Sequence, residues 1–158
     1  MQLMFVLGMG GHTEQMIRLV DALGKKYEYE YVIAEDDKIS EKKIKFPGKI
    51  HKIKRTRGAH ESLFSSIFRN IVRSFELIPL MARSKSAAII ACGPDIAATV
   101  CFVGKLFGKK VVFLESWSRV YSKSYSGRFV YLFADKFFVQ WPQMKKFYKK
   151  AIYAGQFL

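Results

Sequence analysis

The N-terminal stretch leaves the chain few ways to fold. Leu3 to Leu7 is apolar at every position, Gly8-Met9-Gly10-Gly11-His12-Thr13-Glu14 is a glycine-rich corner, and Met16, Leu19, Val20 and Leu23 then recur at helical spacing up to Gly24. A run with no polar alternation suits a strand covered on both faces. A strand that passes through glycines into a helix opens a βα unit whose corner can offer backbone N–H groups to an anion. The first helix is expected over about Thr13 to Leu23, with Gly24 ending it.

The same rhythm continues. Strands are expected at Tyr29 to Ala34, Lys49 to Lys54, Ala87 to Cys92, Val111 to Leu114, Phe137 to Val139 and Ile152 to Ala154. Lys49 to Lys54 alternates basic residues with Ile50, His51 and Ile53, the pattern of a half-exposed edge strand with His51 at the surface. Helical segments are expected between strands, at Glu61 to about Arg83, Ile96 to Phe107 and Arg128 to Ala134, and after Pro142. Ser122 to Ser126 reads as a hydroxyl-rich loop. Strands alternating with helices in this way predict a single α/β domain over residues 1–158, with a Rossmann-like, doubly wound and mostly parallel sheet. In that architecture the glycine corner, the Gly93-Pro94-Asp95 turn and the Glu115-to-Arg119 loop leave the same sheet edge and face one crevice.

Charge narrows the partners. The chain has 27 Lys and Arg against 13 Asp and Glu, a formal +14, which calls for an anionic counterpart: nucleic acid, an anionic membrane or a phosphorylated substrate. No nucleic-acid-binding motif is present and the aromatic residues fall on apolar faces, so nucleic acid is not expected as a partner. Cys92 and Cys101 are too few for a disulfide framework and read as buried thiols in a reducing compartment. No signal peptide and no apolar run of about 18 residues is visible, so membrane contact is expected to be peripheral. Leu63, Phe64, Ile67, Phe68, Ile71, Val72, Phe75, Ile78 and Met81 form a wide apolar stripe, flanked by Arg69 and Arg73, that fits either the core or a membrane interface.

The corner excludes several chemistries. Thr13 stands where a dinucleotide fingerprint has its third glycine, and no single acidic residue closes the second strand as a ribose ligand. There is no G-K-[ST] phosphate loop and no G-x-S-x-G nucleophile. His12, His51 and His60 lack metal-ligand spacing, so no metal site is expected. What remains is a histidine directly after two glycines at a helix start, where the positive helix end disfavours protonation. His12 there is either a neutral proton acceptor beside a bound anion or a simple helix cap. Arg55 and Arg57, just past the third strand, are candidate phosphate contacts.

Several separated motifs carry a family resemblance: G-M-G-G-H-T-E-Q-M from Gly8, the Gly93-Pro94 turn, E-S-W-S-R-V from Glu115, S-K-S-Y-S-G-R from Ser122 and A-D-K-F-F-V-Q-W-P from Ala134. In that order, over nearly the whole chain, they resemble the acceptor-side subunit of the split N-acetylglucosaminyltransferase that adds the second sugar to dolichol diphosphate, with its PssD-like relatives of exopolysaccharide synthesis. The resemblance implies the N-terminal half of a GT-B glycosyltransferase, similar to the acceptor half of MurG, working with a separate donor-binding subunit. It implies inverting transfer from a UDP-sugar to a polyprenyl- or dolichyl-diphosphate-linked sugar at the cytoplasmic membrane face, with no cofactor and no obligatory protein-bound metal. His12 and Glu115 are then the candidate catalytic groups, either of them the base. Gly10, Gly11, Thr13 and Arg119 would hold the acceptor or its diphosphate. The tail from Tyr153 through Phe157 to Leu158 would bind the partner subunit. Eukaryotic members usually carry a transmembrane helix ahead of the first strand, and this chain begins at the strand, which favours a prokaryotic form held at the membrane by basic and amphipathic surface.

Overall fold

The computed structural model describes residues 1–54, 74–93 and 95–156, with Asp95 described for its backbone alone. Among these residues seven strands build one sheet: β1 (Gln2–Val6), β2 (Glu28–Ala34), β3 (Gly48–Ile53), β4 (Ala88–Cys92), β5 (Lys110–Leu114), β6 (Lys136–Val139) and β7 (Ile152–Tyr153). Every pairing is parallel, in the order β3-β2-β1-β4-β5-β6-β7. The order reverses between β1 and β4, so the loops that follow these two strands part to opposite faces and leave a crevice at their carboxyl ends.

The apolar run at the N-terminus becomes the central strand because both faces of the sheet need covering. Met4 and Val6 enter the core shared with the helices α2 (residues 74–83), α3 (Asp95–Leu106) and α4 (Tyr125–Val130). Leu3, Phe5 and Leu7 enter the opposite core, against Met16, Ile17 and Val20 of the helix α1 (Gly11–Leu23). Side chains on a strand alternate faces, so five consecutive apolar residues supply both cores at once. Burying each large apolar side chain contributes about 1.5–3 kcal/mol. α2 donates Leu77 and Met81 to the first core while Phe75 and Ile78 face outward, so the described part of the stripe is divided between core and surface; Leu63 to Val72 lie outside the described residues.

Element bounds differ from expectation where a local hydrogen bond outweighs composition. α1 begins at Gly11 rather than Thr13, because the Gly10 carbonyl accepts the Glu14 N–H at 3.2 Å. It ends as expected at Gly24, whose φ of 62° suits glycine. α4 begins at Tyr125, inside the stretch read as a loop, because Ser124 caps it: its Oγ accepts the Gly127 N–H at 2.9 Å. The segment after Pro142 is a short 3-10 turn, Pro142–Lys146, and not a full helix. His51 is not a surface histidine. Its side chain is mostly buried 3.7 Å from the Glu30 carboxylate, and burial holds its pKa below the usual value although Glu30 pulls it up.

Candidate functional site

Three loops meet around His12. β1 delivers Gly8 to Gly11 and the start of α1; β4 ends in Cys92 and Gly93; β5 hands over to Glu115 and the loop through Arg119. The imidazole is wedged between two glycines. A Cβ on Gly93, whose φ is 102°, would stand 2.6 Å from the ring, and one on Gly8 would stand 2.7 Å from the His12 Cβ. Cys92 closes a third side, with Sγ 3.6 Å from Nδ1. A methyl at either glycine would displace the ring, so their small size follows from the space His12 occupies.

The environment keeps the imidazole neutral. Burial lowers the His12 pKa; the carboxylate of Glu115 works against this and the cation of Arg119 works with it. Cys92 is itself fully buried, and burial pushes its thiol far above the usual range, so it meets His12 as a neutral S–H group. The corner beside the ring is open: Gly10 and Gly11 are exposed, with Gly10 at φ 60° capping α1. His12 N–H points to the Met9 carbonyl at 3.3 Å, whereas Gly11 heads the helix, where N–H groups have no intrahelical partner. The corner therefore offers a neutral base next to the positive end of a helix.

Glu115 is held in a different way. Its carboxylate is buried and accepts four hydrogen bonds: from Tyr148 OH at 2.7 Å, Ser124 Oγ at 2.8 Å, Ser116 N–H at 3.1 Å and Ser124 N–H at 3.3 Å. Burial and this bond both raise the Tyr148 pKa, so the phenol stays protonated as the donor. One buried carboxylate thus ties together the β5 loop, the cap of α4 and the segment before β7.

A second buried latch joins α1 to the same loop. Gln15 is fully buried; its Nε2 donates to the Gly11 carbonyl at 3.2 Å, and its Oε1 accepts the Trp117 N–H at 3.2 Å and an N–H of the Gln140 amide. Gln140 Nε2 also donates to the Glu115 carbonyl at 3.0 Å, and Trp141 Nε1 to the Trp117 carbonyl at 2.6 Å. The Trp117 indole packs so closely on Gly11 that a Cβ there would stand 3.2 Å from it. Gln15, Ser124 and Gln140 lie inside motifs that carry the family resemblance, but nothing in the sequence gives them or Tyr148 a role at the site.

The remaining expected residues fall in different places. Arg119 is exposed at the crevice, with Nη1 3.4 Å from Ser122 Oγ. Thr13, expected to contact the acceptor, is buried instead, and its hydroxyl lies 2.6 Å from Ser40 Oγ, which in turn donates to Asp37; it fastens α1 to the loop after β2. Tyr153 is exposed on the edge strand β7. Arg55, Arg57, His60, Phe157 and Leu158 lie outside the described residues. Among the described residues, no three His, Cys, Asp or Glu side chains are grouped to hold a metal ion, and no helix is long and apolar enough to cross a membrane.

A parallel Rossmann-like sheet with its crevice at the β1/β4 switch point is one half of the architecture seen in GT-B glycosyltransferases and UDP-sugar epimerases. The chain superposes on MurG of Acinetobacter baumannii with a TM-score of 0.71 at 14% identity, covering 98% of this chain and 43% of that one. On UDP-N-acetylglucosamine 2-epimerase from Rickettsia bellii the TM-score is 0.72 at 11% identity, covering 99% and 45%. The likeness is one of fold, and the chain spans less than half of either structure. Residues 3–157 match the family model described as "Oligosaccharide biosynthesis protein Alg14 like", and the chain belongs to that family. The mouse relative, UDP-N-acetylglucosamine transferase subunit ALG14, is 35% identical over 179 residues, covering 99% of this chain and 82% of its own. The human protein of the same description is 33% identical, with 99% and 82% covered, and that of Schizosaccharomyces pombe is 33% identical, with 97% and 81% covered.

Proposed function

We propose that this chain is the acceptor-binding subunit of a two-component inverting UDP-N-acetylglucosamine transferase. A separate donor-binding subunit would supply the other Rossmann-like half. The acceptor is a sugar on a polyprenyl or dolichyl diphosphate, presented at the cytoplasmic face of a membrane to which the chain binds peripherally. Membership of the Alg14-like family supports the reaction class. The observation that carries the mechanism is the wedged, neutral His12 beside the open Gly10-Gly11 corner.

In this reading the Nδ1–H of His12 points to Cys92 Sγ, which leaves Nε2 to take a proton. A hydroxyl oxygen of the acceptor sugar bonds to C1 of the donor sugar, the C1–O bond to UDP breaks with inversion, and the hydroxyl proton passes to His12. Gly10 and Gly11 hold the acceptor diphosphate at the helix end, with Arg119 as its cation and Arg55 and Arg57 as further phosphate contacts. Glu115, saturated by four donors, acts as a positioning residue for the loop that carries Arg119. Tyr153, Phe157 and Leu158 meet the partner subunit beyond the β7 edge. The test is His12→Ala in the reconstituted pair: turnover should fall about 10²–10⁴-fold with partner binding intact. Unchanged turnover would reduce the chain to a recruitment subunit without a catalytic group.

A further inference from the structure

The face formed by α3 and α4 carries more exposed apolar surface than its place over a sheet requires. Phe102 and Leu106 project from α3 one turn apart, and Tyr125, Phe129 and Leu132 project from α4 and the turn that follows it, at the spacing of one helix face. Leu106 is 70% exposed and Leu132 80%, while Phe102 and Phe129 meet across the two helices with ring centroids 5.7 Å apart. Phe133 joins them at 5.9 and 5.3 Å, so the rings form one cluster rather than scattered residues. A contiguous apolar patch of this kind on a chain surface marks an interaction site.

Its rim is cationic. Arg128 lies over the Tyr125 ring at 5.8 Å, and Lys136 is exposed at the start of β6. Lys105 and Lys110 both bond to Asp135, at 2.7 and 3.3 Å, so this carboxylate is outnumbered by its own partners. On a chain of formal charge +14, aromatic and leucine side chains ringed by Lys and Arg match an anionic lipid surface: the apolar groups enter the acyl boundary and the cations stay with the headgroups. Both helices also start at the crevice. α3 follows Gly93, which packs on His12, and α4 is capped by Ser124, which bonds to Glu115. A surface lying along them brings the bilayer up to the edge of the site.

We infer that the α3–α4 face, through Phe102, Leu106, Phe129 and Leu132, is where this protein lies on an anionic membrane. The inference rests on the membrane-borne acceptor proposed above and identifies the face that meets the lipid. The test is co-sedimentation of the whole chain with phosphatidylcholine vesicles, with and without phosphatidylglycerol. Unaltered protein should bind the anionic vesicles, more weakly as salt rises. Leu106→Ser/Leu132→Ser should lose roughly tenfold or more in partitioning, and Arg128→Glu should show a several-fold smaller preference for anionic over neutral vesicles. Ile39→Ser, on an exposed residue beside the loop that packs on α1, should change nothing. Both leucines are largely free of the core, so the melting temperature should hold; Leu132→Ser alone serves if the double variant melts early. Failure of the unaltered protein to bind any vesicle would remove the membrane reading itself. Binding that survives in Leu106→Ser/Leu132→Ser would overturn the face. So would sedimentation showing that the serine variant abolishes self-association while vesicle binding stays intact, since the face would then join two copies of the chain.

Discussion

Replacing Glu115 separates a catalytic base from a structural anchor. In Glu115→Ala two hydroxyl donors, Tyr148 OH and Ser124 Oγ, and two backbone N–H groups lose a charged acceptor inside the protein. A hydrogen bond to a charged group contributes about 1.5–3 kcal/mol, and a buried donor left without a partner costs about 1–3 kcal/mol. Because the four bonds share one carboxylate they are not additive, and the expected loss is about 3–5 kcal/mol, a large part of a domain's usual stability. For a chain of this length that lowers the melting temperature by roughly 10 °C. Glu115→Gln keeps the shape and one acceptor oxygen, and Tyr148 OH can turn to accept from the new amide, so the loss should be about 1–3 kcal/mol. Urea unfolding followed by circular dichroism measures both, and turnover of the reconstituted pair is read on the same samples. On the positioning reading, the glutamine variant is less stable and retains measurable turnover. Wild-type stability together with abolished turnover in Glu115→Gln would refute it and make Glu115 the base.

Three further outcomes follow from the same geometry. Because burial lowers the His12 pKa, turnover dependent on neutral His12 should persist to pH values below the ordinary imidazole range and fall as pH drops through the lowered value; a pH profile of kcat/KM whose acidic limb lies above about 6.5 would contradict this. Gly93→Ala adds a methyl 2.6 Å from the His12 ring at a φ of 102°, and should cost about 1–3 kcal/mol in urea unfolding along with most of the turnover; a variant as active and stable as the parent would show that the ring is not wedged. Burial raises the Asp135 pKa, but Lys105, the Val111 N–H and Lys110 outweigh it and bring it to about 2. A folded value below the unfolded one gives stability that is present above about pH 4 and lost as pH falls toward 2. After allowance for solvent screening this is about 1 kcal/mol, so Asp135→Asn should show a smaller drop in stability across that window.

The sheet was legible because its signal is local. The central strands are short apolar runs and the helices periodic ones, so β1, β4 and β5 can be placed to within about a residue, and the convergence of their loops follows from the handedness of parallel crossovers. His12 could be found because the corner carries its own sequence signature. The groups that fix the Trp117-to-Arg119 loop beside it could not. Gln15 and Gln140 are 125 positions apart and Tyr148 lies 33 positions from Glu115, so their hydrogen bonds exist only after the sheet has formed. The start of α4 is hidden in the sequence for a related reason: by composition Ser124 belongs to a loop, but it caps a helix because Glu115 holds its hydroxyl in place.

The two buried networks do different work around one crevice. The glycines and Cys92 fix where the imidazole sits, and they do so with small or weakly polar groups that leave its exposed side unobstructed. Glu115 and Gln15 instead fix the loop between Trp117 and Arg119 relative to α1, with hydrogen bonds inside the protein that no ligand needs to break. A half-site that must wait for a separate partner cannot rely on that partner to order its own loops, because the ordering entropy would then weaken association. On the proposed reading, a crevice pre-formed by buried polar latches would leave the binding energy of a second subunit for closing the site over the substrate, the step at which water has to be excluded from the transfer.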